Sequence, residues 1–261
     1  MSDEIVLRET EAGVATLTLN RPEKRNALNA ALVRALKDAL EEARSDEGAR
    51  VVAIRGAGPD FCAGGDLEEL EQVSGMSRDD NLADARSLGA LLSALRHFPK
   101  PVVAVVHGRA LAGGCGLATA CDIVLAHQAS ELGYPEVHLG FVPAMVMAIL
   151  RRKVTEGRAF ELVARGHRVT AAEGHTIGLV NHVIPAESFD ADVGAYLHDL
   201  AGRPASALGL TKALLYEQGD LSVDEGIERG AQVNVEARMT EECREGVRRF
   251  LDRHGSKGRT R

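Results

Sequence analysis

The sequence has no tryptophan, and its three tyrosines and six phenylalanines make only 3% of 261 residues aromatic. So few rings leave Leu, Val, Ala and Ile to fill the interior, as in helix-rich and α/β proteins rather than β-sandwiches. Cations are also short: 31 Lys and Arg face 38 Asp and Glu, for a net charge of −7. That balance argues against a dedicated nucleic-acid binder, because phosphate contacts need concentrated Lys and Arg. The exception is Arg248 to Arg261, with six basic residues and one acid, a run that reads as a solvated end. The four cysteines, Cys62, Cys115, Cys121 and Cys243, lack Cys-x-x-Cys spacing, so reduced thiols are expected and no metal site is written in them. No apolar run approaches the ~20 residues that span a bilayer, and the N-terminal Met1-Ser-Asp-Glu-Ile-Val6 holds acid where a signal core would be apolar. A cytoplasmic protein without a membrane partner is the expectation. With 45% hydrophobic residues and no Pro/Ser-rich linker, the chain can build a sizeable core.

What the chain does have is a pair of glycine-rich turns, Phe61-Cys-Ala-Gly-Gly-Asp66 and Ala110-Leu-Ala-Gly-Gly-Cys-Gly-Leu117. Each stands between an apolar, strand-like run and a helix-like segment. Glycine lets a ligand approach the main chain closely, and two such turns can aim two N–H groups at one oxygen, which suits an oxyanion hole. Chemistry on a carbonyl or thioester is therefore the first functional expectation.

Around these turns, Ile5 to Leu7 and Val14 to Leu19 read as a hairpin about Glu11-Ala-Gly13. Asn26 or Asn29 can cap a helix from Ala30 to Arg44, where Leu32, Leu36 and Leu40 recur at four. Val51 to Ile54, Pro101 to Val106, Ile123 to Ala126 and Leu179 to Ile184 read as strands of a largely parallel sheet, an α/β layer. Phe189 to Ala201, Ala205 to Gln218, Ser222 to Met239 and Thr240 to His254 read as helices.

Several common motifs are missing. Gly114-Cys-Gly116 fails as a dinucleotide fingerprint at Thr119, and Gly56-Ala-Gly58 fails at Phe61. There is no G-x-x-x-x-G-K-[ST], G-x-S-x-G or His-Glu-x-x-His, so phosphate-loop, serine-hydrolase and zincin readings have no anchor. His107 and His138, which flank the second turn and Glu136, read as structural histidines.

Five ordered segments carry a resemblance: Asn20-Arg-Pro-Glu-Lys-Arg-Asn-Ala-Leu-Asn29, Phe61 to Asp66, Lys100 to Gly108, Ala112 to Ala118 and Cys121 to Ala126. With Tyr134-Pro-Glu136, Leu139 to Pro143, Ala171 to Asn181 and Glu241 to His254, they resemble the crotonase (enoyl-CoA hydratase/isomerase) superfamily over almost the whole chain. The resemblance implies an α/β fold, a crotonase-like spiral of ββα units with a C-terminal helical extension. It sets residues 1–190 as the core with the acyl-CoA site and 191–261 as a helical trimerisation region, in a homotrimer or a dimer of trimers. It implies a CoA thioester whose carbonyl oxygen lies between the amides of Gly65 and Gly113, and no metal or redox cofactor, CoA being part of the substrate. Lys24, Arg25, Ala27 and Leu28 match the region that meets the CoA nucleotide. Ala63, Gly64, Gly65, Asp66 and Leu67 match the loop along adenine and pantetheine. Phe250 and the basic tail match a closing helix that reaches a neighbouring subunit's CoA. Pocket size is expected to be set by Glu68 to Leu95 and Phe141 to Leu150.

The acid/base pattern departs from the hydratases the chain resembles. Those carry two glutamates that hold water, and here the first position is Gly116 while the second is Glu136, the candidate general acid/base. The resemblance implies reversible hydration of a 2-enoyl-CoA as the leading activity and Δ3,Δ2-enoyl-CoA isomerisation, which needs one glutamate, as the alternative. A reading of another class is a member that keeps thioester or RNA binding without catalysis. Thr119, His138 and Glu131 are candidates for a second water partner.

Overall fold

In the computed structural model, residues 4–73 and 75–255 are described. Among these described residues nine strands run in chain order: β1 (Val6–Glu11), β2 (Val14–Leu19), β3 (Val51–Gly56), β4 (Val102–Val106), β5 (Arg109–Leu111), β6 (Ile123–His127), β7 (Glu131–Gly133), β8 (Arg168–Thr170) and β9 (His182–Ile184). The helices are α1 (Ala30–Ser45), α2 (Leu67–Val73), α3 (Arg78–Arg96), α4 (Gly113–Ala120), α5 (Ala144–Lys153), α6 (Glu156–Arg165), α7 (Ala171–Thr176), α8 (Phe189–Ala201), α9 (Ala205–Glu217), α10 (Val223–Met239) and α11 (Glu241–Gly255).

Six strands form one sheet in the order β1-β2-β3-β4-β6-β9, parallel except for the β1–β2 hairpin. The hairpin turns at Ala12 and Gly13, both at positive φ (48° and 85°), the two-residue geometry that matches strand twist. Strand β1 runs to Glu11 rather than stopping at Leu7. Its outer half, Arg8 to Glu11, is polar and exposed, so its pairing with β2 sets its length where apolar alternation is absent.

Both faces of the sheet are covered, which is why β3 and β4 read as unbroken apolar runs. Val52, Ile54, Val102, Ala104 and Val106 face one core, with α1, α3 and α4. Val51, Ala53, Val103 and Val105 face the other, under Phe189, Val193, Leu197 and Ala201 of α8. Asn29 caps α1 by accepting from the Leu32 amide at 2.8 Å, and Leu32, Leu36 and Leu40 are buried as their spacing requires. Each such leucine contributes about 2 kcal/mol relative to exposure.

A second sheet of three-residue strands, β5-β7-β8, has no counterpart in the sequence reading, since three residues carry no detectable period. The run expected from Leu179 pairs only over His182–Ile184. The Leu179 and Val180 amides instead turn back onto Gly174 O of α7 at 2.8 and 3.1 Å.

The C-terminal helices appear as expected. Helix α9 is fixed by Lys212, whose ammonium donates to Leu95 O (2.9 Å) and Lys100 O (3.1 Å) and pairs with Asp122 (2.8 Å). Helices α10 and α11 leave Ile227, Met239, Phe250 and Leu251 exposed. No described helix is long and apolar enough to cross a membrane. Residues 256–261 of the basic tail lie outside the described residues.

Candidate active site

The two glycine turns are stitched together. Cys62 N donates to Arg109 O (3.0 Å) and Leu111 N to Cys62 O (3.0 Å), so the first turn lies along β5, the strand that feeds the second. A Cβ on Gly114 would stand 2.3 Å from Cys62 O, which no side chain can accept. Gly64, at φ +116°, lets its turn lie against Leu111 and Ala112. The amides of Gly65 and Gly113 donate to no partner among the described residues, and both residues line one cavity. Such free, fixed donors are what an oxyanion requires. The residue before Gly113, Ala112, sits at φ +48°, a conformation that costs an L-residue about 1–3 kcal/mol and here sets the direction of the Gly113 amide. The bond from Ala112 N to Gly133 O (2.8 Å) and the buried helix α4 hold it in place.

The first turn is held by charge. Arg21 donates to Asp66 Oδ2 (2.8 Å) and to Ala27 O (2.7 Å), and Asp66 Oδ1 accepts from Glu68 N (3.0 Å) at the start of α2. Burial alone would push the Asp66 carboxyl up, but the Arg21 hydrogen bond, the Glu68 amide and the charges of Arg21 and Lys24 outweigh it and hold the carboxyl below its usual range. Both oxygens of Glu69 accept from Ala30 N (3.0 and 3.1 Å), tying α2 to the start of α1.

Glu136 lies on a single 3-10 turn, Pro135–Leu139, which follows β7. Immediately before it, Tyr134 is fully buried and its hydroxyl meets Thr119 Oγ1 of α4 at 2.6 Å, which ties the glutamate's turn to the helix that begins at Gly113. Burial pushes the Glu136 carboxyl up, against a smaller downward pull from its own backbone amide. Its Oε2 is buried and meets no hydrogen-bond donor among the described residues. A half-buried carboxyl with one unused oxygen, facing a cavity, is suited to accept a proton.

The cavity is roughly 350 Å³. Gly65, Ala112, Gly113 and Glu136 form one part of it, and Leu70 of α2, Leu88 and Leu92 of α3, and Met145 and Val146 of α5 form much of the rest. Both stretches expected to set pocket size thus supply walls, though the individual residues had no signal beyond being apolar. Gly116 lines the cavity and carries no carboxylate, and an added Cβ there would meet Val146 at 3.5 Å, an ordinary contact.

The other expected residues fall in different places. Leu28 pairs with Gly65 across a parallel bridge, its amide donating to Gly64 O at 2.7 Å, and Ala27 and Leu28 are buried. Ala63 N donates to Arg25 O (3.0 Å), and Arg25, at φ +52°, is exposed. Lys24 is ion-paired with Glu68. Leu67 opens α2. Phe250, on α11, is exposed and is not part of the cavity wall. Asn29, not Asn26, is the helix cap. Asn26 is buried at φ +55°, accepts from Arg21 N (2.9 Å) and donates to Ala57 O and Asp60 O (both 2.8 Å), clamping the Arg21 loop to the end of β3.

Two candidates for a second water partner are committed elsewhere. Thr119 is buried against Tyr134, and Glu131 is ion-paired with Arg168 at 3.0 Å. His138 does line the cavity, with Nε2 against Gly166 O at 3.2 Å. Burial pushes the thiols of Cys62 and Cys121 up to about 12 and that of Cys115 up to about 11, so none is a thiolate nucleophile at neutral pH.

The chain is similar to known proteins over nearly its whole length. The profile of the enoyl-CoA hydratase/isomerase family matches residues 9–257. A Thermus thermophilus protein named "Putative enoyl-CoA hydratase" is 38% identical over 240 residues, 92% of this chain and 95% of its own. The 2,3-dehydroadipyl-CoA hydratase of Escherichia coli is 34% identical over 97% of both chains. The crystal structure of an enoyl-CoA hydratase from Mycobacterium smegmatis superposes with a TM-score of 0.91 at 31% identity, covering 95% of this chain and 96% of that one.

Proposed function

We propose that this chain, which belongs to the enoyl-CoA hydratase/isomerase family, binds an unsaturated acyl-CoA thioester and moves a proton on its enolate with Glu136 as the sole acid/base. In this reading the thioester oxygen sits between the amides of Gly65 and Gly113, each worth about 3 kcal/mol as charge develops on that oxygen. Lys24 and Arg25 lie along the strap beside Gly65, where cations suit the CoA phosphates. The scheme draws on no metal or redox group.

The reaction we favour is isomerisation of a 3-enoyl-CoA. Glu136 takes a proton from C2, the C–H electron pair enters the thioester as a dienolate, and the same proton returns at C4 as the double bond settles between C2 and C3. No water takes part. The observation that carries this reading is the lone carboxyl on the cavity wall: Glu136 is its one acidic side chain among the described residues, Gly116 brings no second carboxylate, and Thr119 and Glu131 are engaged elsewhere. Hydration of a 2-enoyl-CoA is the second reading, supported by the hydratase names of the relatives and by His138 on the cavity wall. A homotrimer, or a dimer of trimers, is part of the proposal, and the exposed apolar side chains of α10 and α11 support it.

The two reactions change conjugation in opposite directions. A 3-enoyl-CoA should gain the near-ultraviolet band of the conjugated enoyl thioester, whereas hydration of a 2-enoyl-CoA loses it. Glu136→Gln should lower kcat on the active substrate about 10³-fold and leave acyl-CoA affinity within a few-fold. Wild-type turnover in that variant would remove Glu136 as the base. Because burial pushes this carboxyl up, kcat should fall on the acid side at a pH above the ordinary glutamate range.

A further inference from the structure

We infer that the cavity selects uncharged hydrocarbon acyl groups and rejects acyl groups that end in a second carboxylate, an inference that rests on the acyl-CoA reading above. The cavity wall contains no lysine and no arginine among the described residues. Its ionisable side chains are Glu136, an acid, and His138, which is exposed and turns Nε2 to the Gly166 carbonyl. Leu88, Leu92, Met145 and Val146 line it from α3 and α5. Gly116 adds no polar side chain to the wall, and the neighbour that an added Cβ would meet there is the apolar Val146.

The nearby cations do not reach this surface. Arg21 is bound to Asp66 and to the Ala27 carbonyl, and Lys24 is bound to Glu68. Positive charge thus lies along the strap that leads to Gly65 and is missing from the cavity wall. An ω-carboxylate carried in with the acyl chain would exchange water largely for methyl and methylene groups, with no lysine or arginine to replace the lost hydration. It would also face Glu136, and like charges in a low-dielectric cavity repel strongly. A methyl terminus has neither handicap, and its burial adds to affinity.

The test is calorimetric titration of the full wild-type chain with hexanoyl-CoA and with the CoA monothioester of adipic acid, using free CoA as the reference ligand. These saturated thioesters have equal carbon chains and cannot turn over, so the comparison does not depend on which reaction is catalysed. Hexanoyl-CoA should bind at least about 100-fold more tightly than the adipic thioester, and the adipic thioester no more tightly than free CoA. Affinities of the two thioesters within threefold of each other, both above free CoA, would overturn the selectivity and leave the acyl-CoA reading standing. If hexanoyl-CoA binds no better than free CoA, the acyl-CoA reading falls and the inference falls with it.

Discussion

The two glycine turns each offer one amide to the same cavity, yet they are held by different forces. The second turn is held by the core: α4 is buried from Gly114 to Ala120, and Gly114 is pressed against Cys62 too closely for any side chain. The first turn is held by charge: Asp66 on Arg21, Glu69 on the Ala30 amide and Glu68 on Lys24, around the short helix α2. Apolar packing carries no titrating group and no charge for salt to screen, whereas charge contacts respond to both pH and ionic screening. One turn of the candidate site is therefore held as the protein interior is, and the other is held by contacts that solution conditions can tune.

The largest effect should come from breaking the packed turn. Gly114→Ala places a Cβ against the Cys62 carbonyl and sulfur, backbone and core that cannot yield, and should cost on the order of 4 kcal/mol of global stability or more. Thermal unfolding by circular dichroism measures it; a melting temperature near wild type would show that the packed turn is softer than its contacts imply.

Breaking the charged turn should cost less and act locally. Asp66→Ala strands the half-buried Arg21 and removes the cap of α2, for a loss of about 3 kcal/mol. Acid should do the same without mutation. The folded pKa of Asp66 is depressed, so its contribution is complete above the ordinary carboxylate range and is lost as pH falls through about 4 and below. Hydrogen-exchange protection can separate the turns. The Asp66 amide, bonded to Leu28 O at 2.8 Å, should lose protection in acid before the Leu111 amide, bonded to Cys62 O at 3.0 Å. Simultaneous loss would mean that the two turns open as one unit.

The same contrast explains what could be read in advance. Periodicity of 3.6 and continuous apolar runs exposed α1, the parallel strands and the C-terminal helices, because burial of a long face leaves a repeating mark. The second glycine turn was legible because Gly114 stands where no side chain fits against Cys62. Glu136 was found through its motif, and its burial and free oxygen depend on packing that no local pattern encodes. The second sheet escaped because its strands are three residues long. The clasp of Arg21 on Asp66, 45 residues away, and that of Glu69 on Ala30, 39 away, escaped because long-range pairing of charges leaves no period. Thr119 looked available in one dimension, and its bond to Tyr134 shows it to be committed.

The smallest effect concerns Lys24, and it shows how far the charged half can be tuned. Its ammonium is held above the ordinary lysine range chiefly by the hydrogen bond and charge of Glu68, so under the proposed function a CoA phosphate would compete with a carboxylate already in place. Removing the lysine and removing its competitor should therefore have opposite signs. Lys24→Ala should raise KM for a CoA thioester a few-fold, and Glu68→Ala should lower it a few-fold, with kcat unchanged in both because neither side chain reaches the cavity wall. Both pair members are exposed, so salt should flatten the two differences together. If Glu68→Ala also raises KM, the pair acts as a scaffold for α2, and the first turn is held by all three of its carboxylates, not by Asp66 and Glu69 alone.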